Sequence, residues 1–187
     1  GLNNEGQAIK FEKLPLPSIP IENAATVLQL LQFMPQKPSL MNIRKGILAA
    51  NLAGRLERVT KPFRAVLDVG HNPQAAQMLA KSLESRPVKG CRYALLAMLE
   101  DKDPAGVVEK LAPFIGGWNL AGLEGYRGQK VEMLQAKVTD SMGACSCYES
   151  VEEALDDLLL KMNEDDELVI VGSFMVIAKA HEWLALH

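Results

Sequence analysis

The sequence is short of several features that would declare a function at once. No apolar run approaches the roughly 18 residues a membrane-spanning helix needs, so no span is expected. There are only three cysteines, Cys91, Cys145 and Cys147. With no second pair and no clustered histidines, Cys145-x-Cys147 is a weak metal signal. Both are read as reduced thiols on a strand, as in a cytosolic protein. Charge of one sign is not in surplus: 20 Lys and Arg stand against 23 Asp and Glu, for a net charge of −3. Nucleic-acid binding would need a basic face, and none is indicated. The first residues lack a signal-peptide pattern, so the expected location is the cytoplasm. The phosphate loop G-x-x-x-x-G-K-[ST] and the dinucleotide motif G-x-G-x-x-G are absent. So is the nucleophile elbow G-x-S-x-G, since Gly172-Ser173-Phe174 lacks its second half. A nucleotide enzyme built from this chain alone would lack its main triphosphate cradle.

What is present is an ordinary globular composition. The 187 residues are 48% hydrophobic and 23% charged, enough for one full core and an appendage. The first thirteen residues say little. Leu14 to Pro20 is stiffened by proline and extended, because each residue before a proline is pushed out of the helical region. From Glu22 to Met34, Val27, Leu28, Leu30 and Leu31 give an amphipathic helix, with Asn23 at or near its start. Pro35 and Pro38 end it. Ser39 can cap a second helix through Ile43, Ile47 and Leu48, ending near Asn51. Two short helices bury little between themselves and depend on tertiary packing. Their apolar face (Leu28, Leu31, Ile43, Ile47) therefore predicts either folding back on the rest of the chain or self-association.

A boundary falls near Asn51, dividing 1–51 from 52–187. Gly54 to Val59 reads as a turn and a short strand. Beyond it, candidate strands at Arg64–Val69, Arg92–Met98, Gly117–Leu123, Ala144–Tyr148 and Glu167–Val171 alternate with helical patterns. The helices lie near Pro73–Ser85, Asp103–Phe114, Gln129–Ser141, Ser150–Asn163 and Phe174–Leu186. Nearly continuous apolar strands suit burial on both faces. The alternation predicts an α/β fold, with a Rossmann-like, mostly parallel, doubly wound sheet preceded by a short helical segment.

Right-handed crossovers would gather the strand-end loops on one rim, where ligands of such sheets sit. The chain centres on Ala65 to Pro73, an apolar strand ending in Asp68, Gly70 and His71 and opening into a helix. Asn72 is a candidate N-cap, and Pro73 suits the first helical turn. The free amides of that helix start can hold an anion. Other rim loops offer Glu100, Asp101, Lys102 and Asp103, then Arg127 between glycines, then Ser173. Each has a plainer reading. Asp68 can simply accept backbone N–H bonds, His71 can satisfy a turn, Ser173 can be an N-cap, and Lys102 and Arg127 can be solvated loop charges. The acidic run Asn163 to Glu167 reads as a solvated turn, Met78 and Leu79 as core, and His181 as core or surface rather than ligand.

Six motifs in register then carry a resemblance. They are Pro17 to Ala25, Ala53-Gly54-Arg55, Asp68 to Pro73, Met98 to Asp103, Leu123 to Gly128, and Gly172-Ser173-Phe174. From about Leu14 onward the chain resembles the C-terminal part of bacterial bifunctional dihydrofolate synthase/folylpolyglutamate synthases, of the Mur ligase superfamily. That resemblance implies the tail of an ATPase domain, to about Asn51, followed by a whole Rossmann-like ligase domain. It implies that Asn23 holds the nucleotide base, that Arg55 meets the phosphates and that Asp68 binds ATP. It links His71 and Ser173 to glutamate, with His71 as the catalytic candidate, and lines the same cleft with Asp103 and Arg127. Gly70 replaces a frequent alanine, a change expected to matter little. ATP and Mg2+ are the implied cofactors, bound mainly by an N-terminal ATPase domain outside this sequence, with no metal ligand here. L-glutamate and dihydropteroate or folate are the implied substrates. The reaction would be amide formation through an acyl phosphate, with this chain alone inactive. A Mur peptidoglycan ligase domain and a non-catalytic Rossmann-like binding module are the alternative readings.

Overall fold

A computed structural model describes residues 1–3, 5–17, 19–50 and 52–187. Ser18 of the Pro17 motif and Asn51 of the expected boundary lie outside the described residues. The chain divides into two compact units, Gly1–Ala53 and Gly54–His187.

The first unit carries α1 (Ile21–Leu31) and α2 (Leu40–Ala49). Pro20 precedes α1, whose first turn has no side-chain cap, so Asn23 sits inside the helix and does not cap it. Ser39 does cap α2, accepting from the Asn42 amide at 3.2 Å. Ile43 is the one described apolar side chain of this unit that is fully buried. Leu28, Leu31, Ile43 and Ile47 line an apolar groove of about 280 Å³.

The second unit is a six-stranded sheet. Its strands are β1 (Glu57–Val59), β2 (Ala65–Asp68), β3 (Arg92–Leu96), β4 (Gly117–Ala121), β5 (Cys145–Tyr148) and β6 (Glu167–Val171). The order is β1-β2-β6-β3-β4-β5. Only β1 runs antiparallel, against β2; the other pairings are parallel. The helices are α3 (Pro73–Glu84), α4 (Pro104–Leu111), α5 (Val131–Val138), α6 (Val151–Lys161) and α7 (Phe174–Leu184).

Strand alternation sorts side chains to opposite faces. Val66, Ala94, Leu96, Leu120, Val169 and Val171 pack under α3, α4 and α5. Leu67, Val69, Leu95, Ala121, Leu168 and Ile170 pack under α6 and α7. Both faces of the central strands are thus apolar, which is why β2 and β6 are buried at every position. Four helices of this unit begin on side-chain caps of the same kind as Ser39. Asn72, Asp103, Ser150 and Ser173 each accept from the amide three residues on, satisfying a donor with no partner inside the helix.

Three sequence expectations are corrected. Met78 is 41% exposed while Leu79 beside it is core, because consecutive helical residues point about 100° apart and only one meets the sheet. The run Asn163 to Glu167 is not simply solvated, since Asp166 and Glu167 are buried. Asp166 accepts from Cys91 and Asn163 amides at 2.7 and 2.9 Å. Glu167 pairs with Arg92 at 2.9 Å and with Arg58 at 3.4 Å. The third correction concerns Gly70 and belongs to the site.

Candidate functional site

Parallel strands turn all their carboxyl ends to one edge. β2 feeds α3 on one face and its neighbour β6 feeds α7 on the other. The chain therefore parts above the ends of β2 and β6, and an open α/β sheet forms its ligand crevice at such a point. Asp68, Gly70, His71, Gly172 and Ser173 all belong to that parting. Gly172 has φ 132°, and a Cβ there would lie 2.3 Å from the Ala97 carbonyl oxygen, so only glycine lets β6 leave so close to β3.

Arg55 reaches the same edge on a turn with unusual backbone. Gly54 has φ 68° and Leu56, on the other side of Arg55, has φ 49°. A non-glycine residue in that region is strained and needs support from its surroundings. Support comes from two carboxylates and one strand. Asp68 accepts from the Leu56 amide at 2.9 Å and from Gly70 at 2.7 Å. Glu57 accepts from the Gly54 amide at 2.6 Å. The Gly54 carbonyl accepts from Val69 at 2.7 Å. Arg55 itself is half-buried, and its guanidinium stands 5.9 Å from the centre of the exposed Phe174 ring, within cation–π range.

Both Asp68 oxygens thus meet backbone donors. Burial nevertheless pushes its pKa above the ordinary carboxylate value, against those two hydrogen bonds and the charge of Arg55. A Cβ on Gly70 would lie 2.7 Å from Asp68 Oδ1. The glycine is therefore no neutral exchange for alanine, because it makes room for the Asp68 carboxylate.

His71 places Nδ1 3.0 Å from the Val69 carbonyl oxygen. A carbonyl can only accept, so Nδ1 is assigned the hydrogen, and Nε2 of the neutral ring is left as a bare acceptor. Ser173 is buried, and its oxygen caps α7 by accepting from Val176 at 3.2 Å. Its hydroxyl hydrogen remains available as a donor. The arrangement joins one cation, one imidazole and a helix N-terminus, which can orient a charged small molecule and accept a proton from it.

A second cluster rises from the ends of β3 and β4. Arg127, at φ 65°, binds Asp101, which Lys102 also contacts at 2.9 Å. Those two cations hold the Asp101 carboxyl well below the usual range, and Asp101 raises Arg127 in turn. Asp103 caps α4 through Gly106 at 2.9 Å. A Cβ on Gly106 would lie 2.6 Å from the Pro73 ring, so the starts of α3 and α4 press together. The structure brings Arg55, Asp68, His71 and Ser173 to one parting and Asp103 and Arg127 to the loops of the next strands. Asn23 is an exposed residue of α1 in the first unit.

Three contributors escaped sequence reading. Phe174 reads as the end of a rim loop and the start of a helix, Glu57 as part of a turn and short strand, and Gln129 as a helix start, whereas α5 begins only at Val131. Gln129 is buried and donates to the Met98 carbonyl at 2.8 Å, tying the β4 loop to the end of β3. Phe174 had a signal in its place in the Gly172-Ser173-Phe174 motif, and Glu57 in being a carboxylate three residues after a glycine. Among the described residues no group of three or more His, Cys, Asp or Glu is placed to hold a metal ion. Cys91, Cys145 and Cys147 are unpaired. Among the described residues no helix is long and apolar enough to cross a membrane.

Known proteins share this fold. Residues 54–174 match the family described as Mur ligase, glutamate ligase domain. Dihydrofolate synthase/folylpolyglutamate synthase of Escherichia coli (strain K12) is 36% identical over 172 residues, covering 92% of this chain and 40% of that protein. The Haemophilus influenzae protein of the same name is 31% identical, covering 94% and 45%. The E. coli FolC structure in complex with DHPP and ADP is similar with a TM-score of 0.85 and 35% identity, over 94% of this chain and 42% of that one. The Yersinia pestis bifunctional folylpolyglutamate synthase/dihydrofolate synthase is 32% identical with a TM-score of 0.84, over 97% and 43%. The chain thus spans about two fifths of the length of the curated relatives it matches. Carrying that domain match across its sheet and crevice loops, the chain belongs to the Mur ligase family.

Proposed function

We propose that this chain supplies the glutamate ligase domain of an ATP-dependent dihydrofolate synthase/folylpolyglutamate synthase. The enzyme adds L-glutamate to dihydropteroate and to folate γ-glutamyl tails in the cytoplasm. The observation that carries the proposal is the gathering of Arg55, Asp68, His71 and Ser173 at the parting of β2 and β6, in a chain similar to FolC over 94% of its length.

The acceptor's carboxylate attacks the γ-phosphorus of ATP and ADP leaves. The amine of glutamate attacks the acyl phosphate, and the tetrahedral intermediate expels phosphate to leave the amide. An acyl phosphate hydrolyses in water, so the domain's first task is to exclude solvent and align the amine. Arg55 offsets charge on the phosphoryl group. Asp68 holds the backbone that presents Arg55 and meets ATP through it. Asn23 holds the nucleotide base. Ser173 and the amides at the start of α7 bind a glutamate carboxylate. His71, with Nε2 bare, takes the proton that the glutamate ammonium must lose before it can attack. Asp103 and Arg127 line the cleft. Mg2+ accompanies the ATP, but these side chains do not make a metal site, and an N-terminal ATPase domain is proposed to hold the ion. The apolar face of α1 and α2 is the surface through which this chain on its own would self-associate.

The test is turnover. The complete ligase carrying this chain, given ATP, dihydropteroate and L-glutamate, is expected to release one ADP and one phosphate per amide formed. The 187-residue chain alone is expected to release none. Turnover with a UDP-linked peptidoglycan precursor in place of dihydropteroate would overturn the assignment.

A further inference from the structure

Arg55 stands between two left-handed residues, Gly54 at φ 68° and Leu56 at φ 49°. Such a turn is held only by its surroundings. Asp68 grips its far side through the Leu56 amide. The near side is gripped by Glu57, whose Oε2 accepts from the Gly54 amide at 2.6 Å. The same oxygen lies 3.1 Å from Nε2 of His181 on α7. The Glu57 side chain is only 17% exposed, so its bonds are shielded from water. α7 also carries Phe174, the ring beside the Arg55 guanidinium. A Cβ on Gly54 would lie 2.7 Å from Val69 Cγ1 and 3.1 Å from Ile177 of α7, so the turn has no slack toward the sheet or the helix.

We infer that Glu57, anchored by His181, is a positioning residue for Arg55, fixing the turn so that the guanidinium is already aimed where phosphate charge arrives. Backbone strain of this kind relaxes when a support is removed, and a relaxed turn lets the long Arg55 side chain sample many directions. A preset cation avoids that ordering cost at the moment of reaction. The inference rests on the reading of Arg55 as a phosphate-contacting residue.

A double-mutant cycle in the complete ligase tests it. Arg55→Ala alone tests the underlying reading, since an unchanged kcat/KM for ATP would sink that reading and leave Glu57 with nothing to position. Given a large loss in Arg55→Ala, Glu57→Ala is expected to lower kcat/KM for ATP about tenfold, the scale of one charge-assisted hydrogen bond, and to leave KM for glutamate unchanged. The double variant is expected to be no worse than Arg55→Ala, because Glu57 acts through Arg55. A merely structural loss reduces the amount of active enzyme and moves no KM. Glu57→Gln, which keeps an acceptor for Gly54 without the charge, is expected to fall between wild type and Glu57→Ala, and it serves if the alanine variant does not fold. Additive losses in the double variant, or a wild-type KM for ATP with only the active fraction reduced in both Glu57 variants, would overturn the inference.

Discussion

Asp68 shows how one carboxylate can brace two backbone segments at the edge of a candidate site. Its oxygens accept from Leu56 on one side and Gly70 on the other, bracing the Arg55 turn against the end of β2. Asp68→Asn replaces one acceptor by an amide donor that faces a backbone N–H. At neutral pH the cost is expected to be about 1–3 kcal/mol, read as a lower denaturant midpoint. Burial raises the Asp68 pKa, so the folded state binds that proton more tightly than the unfolded state. The stability Asp68 contributes is fully present below its unfolded pKa and declines as pH rises through the raised folded value. A denaturation series against pH is expected to show that slope in wild type and to lack it in Asp68→Asn; equal slopes would contradict this account. The plain reading of Asp68 as an acceptor of backbone N–H bonds was legible in the sequence. That one donor would come from Leu56, twelve residues earlier, was not, because no periodicity carries a contact made by a strained turn.

At the scale of elements, the sequence was a good guide wherever local chemistry decides. Asn72-Pro73, Asp103-Pro104, Ser150 and Ser173 announce helix starts because a short polar side chain and a following free amide suit each other. The apolar blocks at β2 and β6 announce buried strands. The order of strands was not legible, since β6, last in the chain, inserts between β2 and β3, and that pairing spans about a hundred residues. The same insertion hid the role of the acidic run before β6. It brings Glu167 against Arg92 and Arg58 at the edge opposite the candidate site. Arg92 also donates to the Arg86 carbonyl at 2.7 Å, just beyond the end of α3. Glu167→Ala would leave Arg92 buried without its carboxylate. The expected loss is about 3–5 kcal/mol, measured by chemical denaturation. A loss below about 1 kcal/mol would show that the pair behaves like an exposed one.

At the scale of the whole molecule, the two units differ in how much core they own. Gly54–His187 has apolar layers on both faces of its sheet. Gly1–Ala53 has an apolar groove and little else buried. A chain of residues 54–187 is expected to melt in one cooperative transition close to that of the full chain, and residues 1–53 alone to show none, followed by circular dichroism. An uncooperative 54–187 would mean that its core needs the first unit. That division was foreshadowed by two short, weakly buried helices followed by a regular strand–helix alternation. That Asp68, His71 and Ser173 stand at strand ends was legible in the strand–helix alternation, whereas the pairing of Glu57 with His181 had no local signature.

The central claim is that the parting of β2 and β6 holds the amino-acid substrate of a ligase. The direct measurement is the steady-state KM for L-glutamate of the complete ligase with His71→Ala, beside its KM for ATP. The expected result is a rise of about tenfold for glutamate, the scale of one lost charge-assisted contact, together with a fall in kcat from the lost proton acceptor, with the KM for ATP unchanged. An unchanged KM for glutamate, with full kcat retained, would contradict the account.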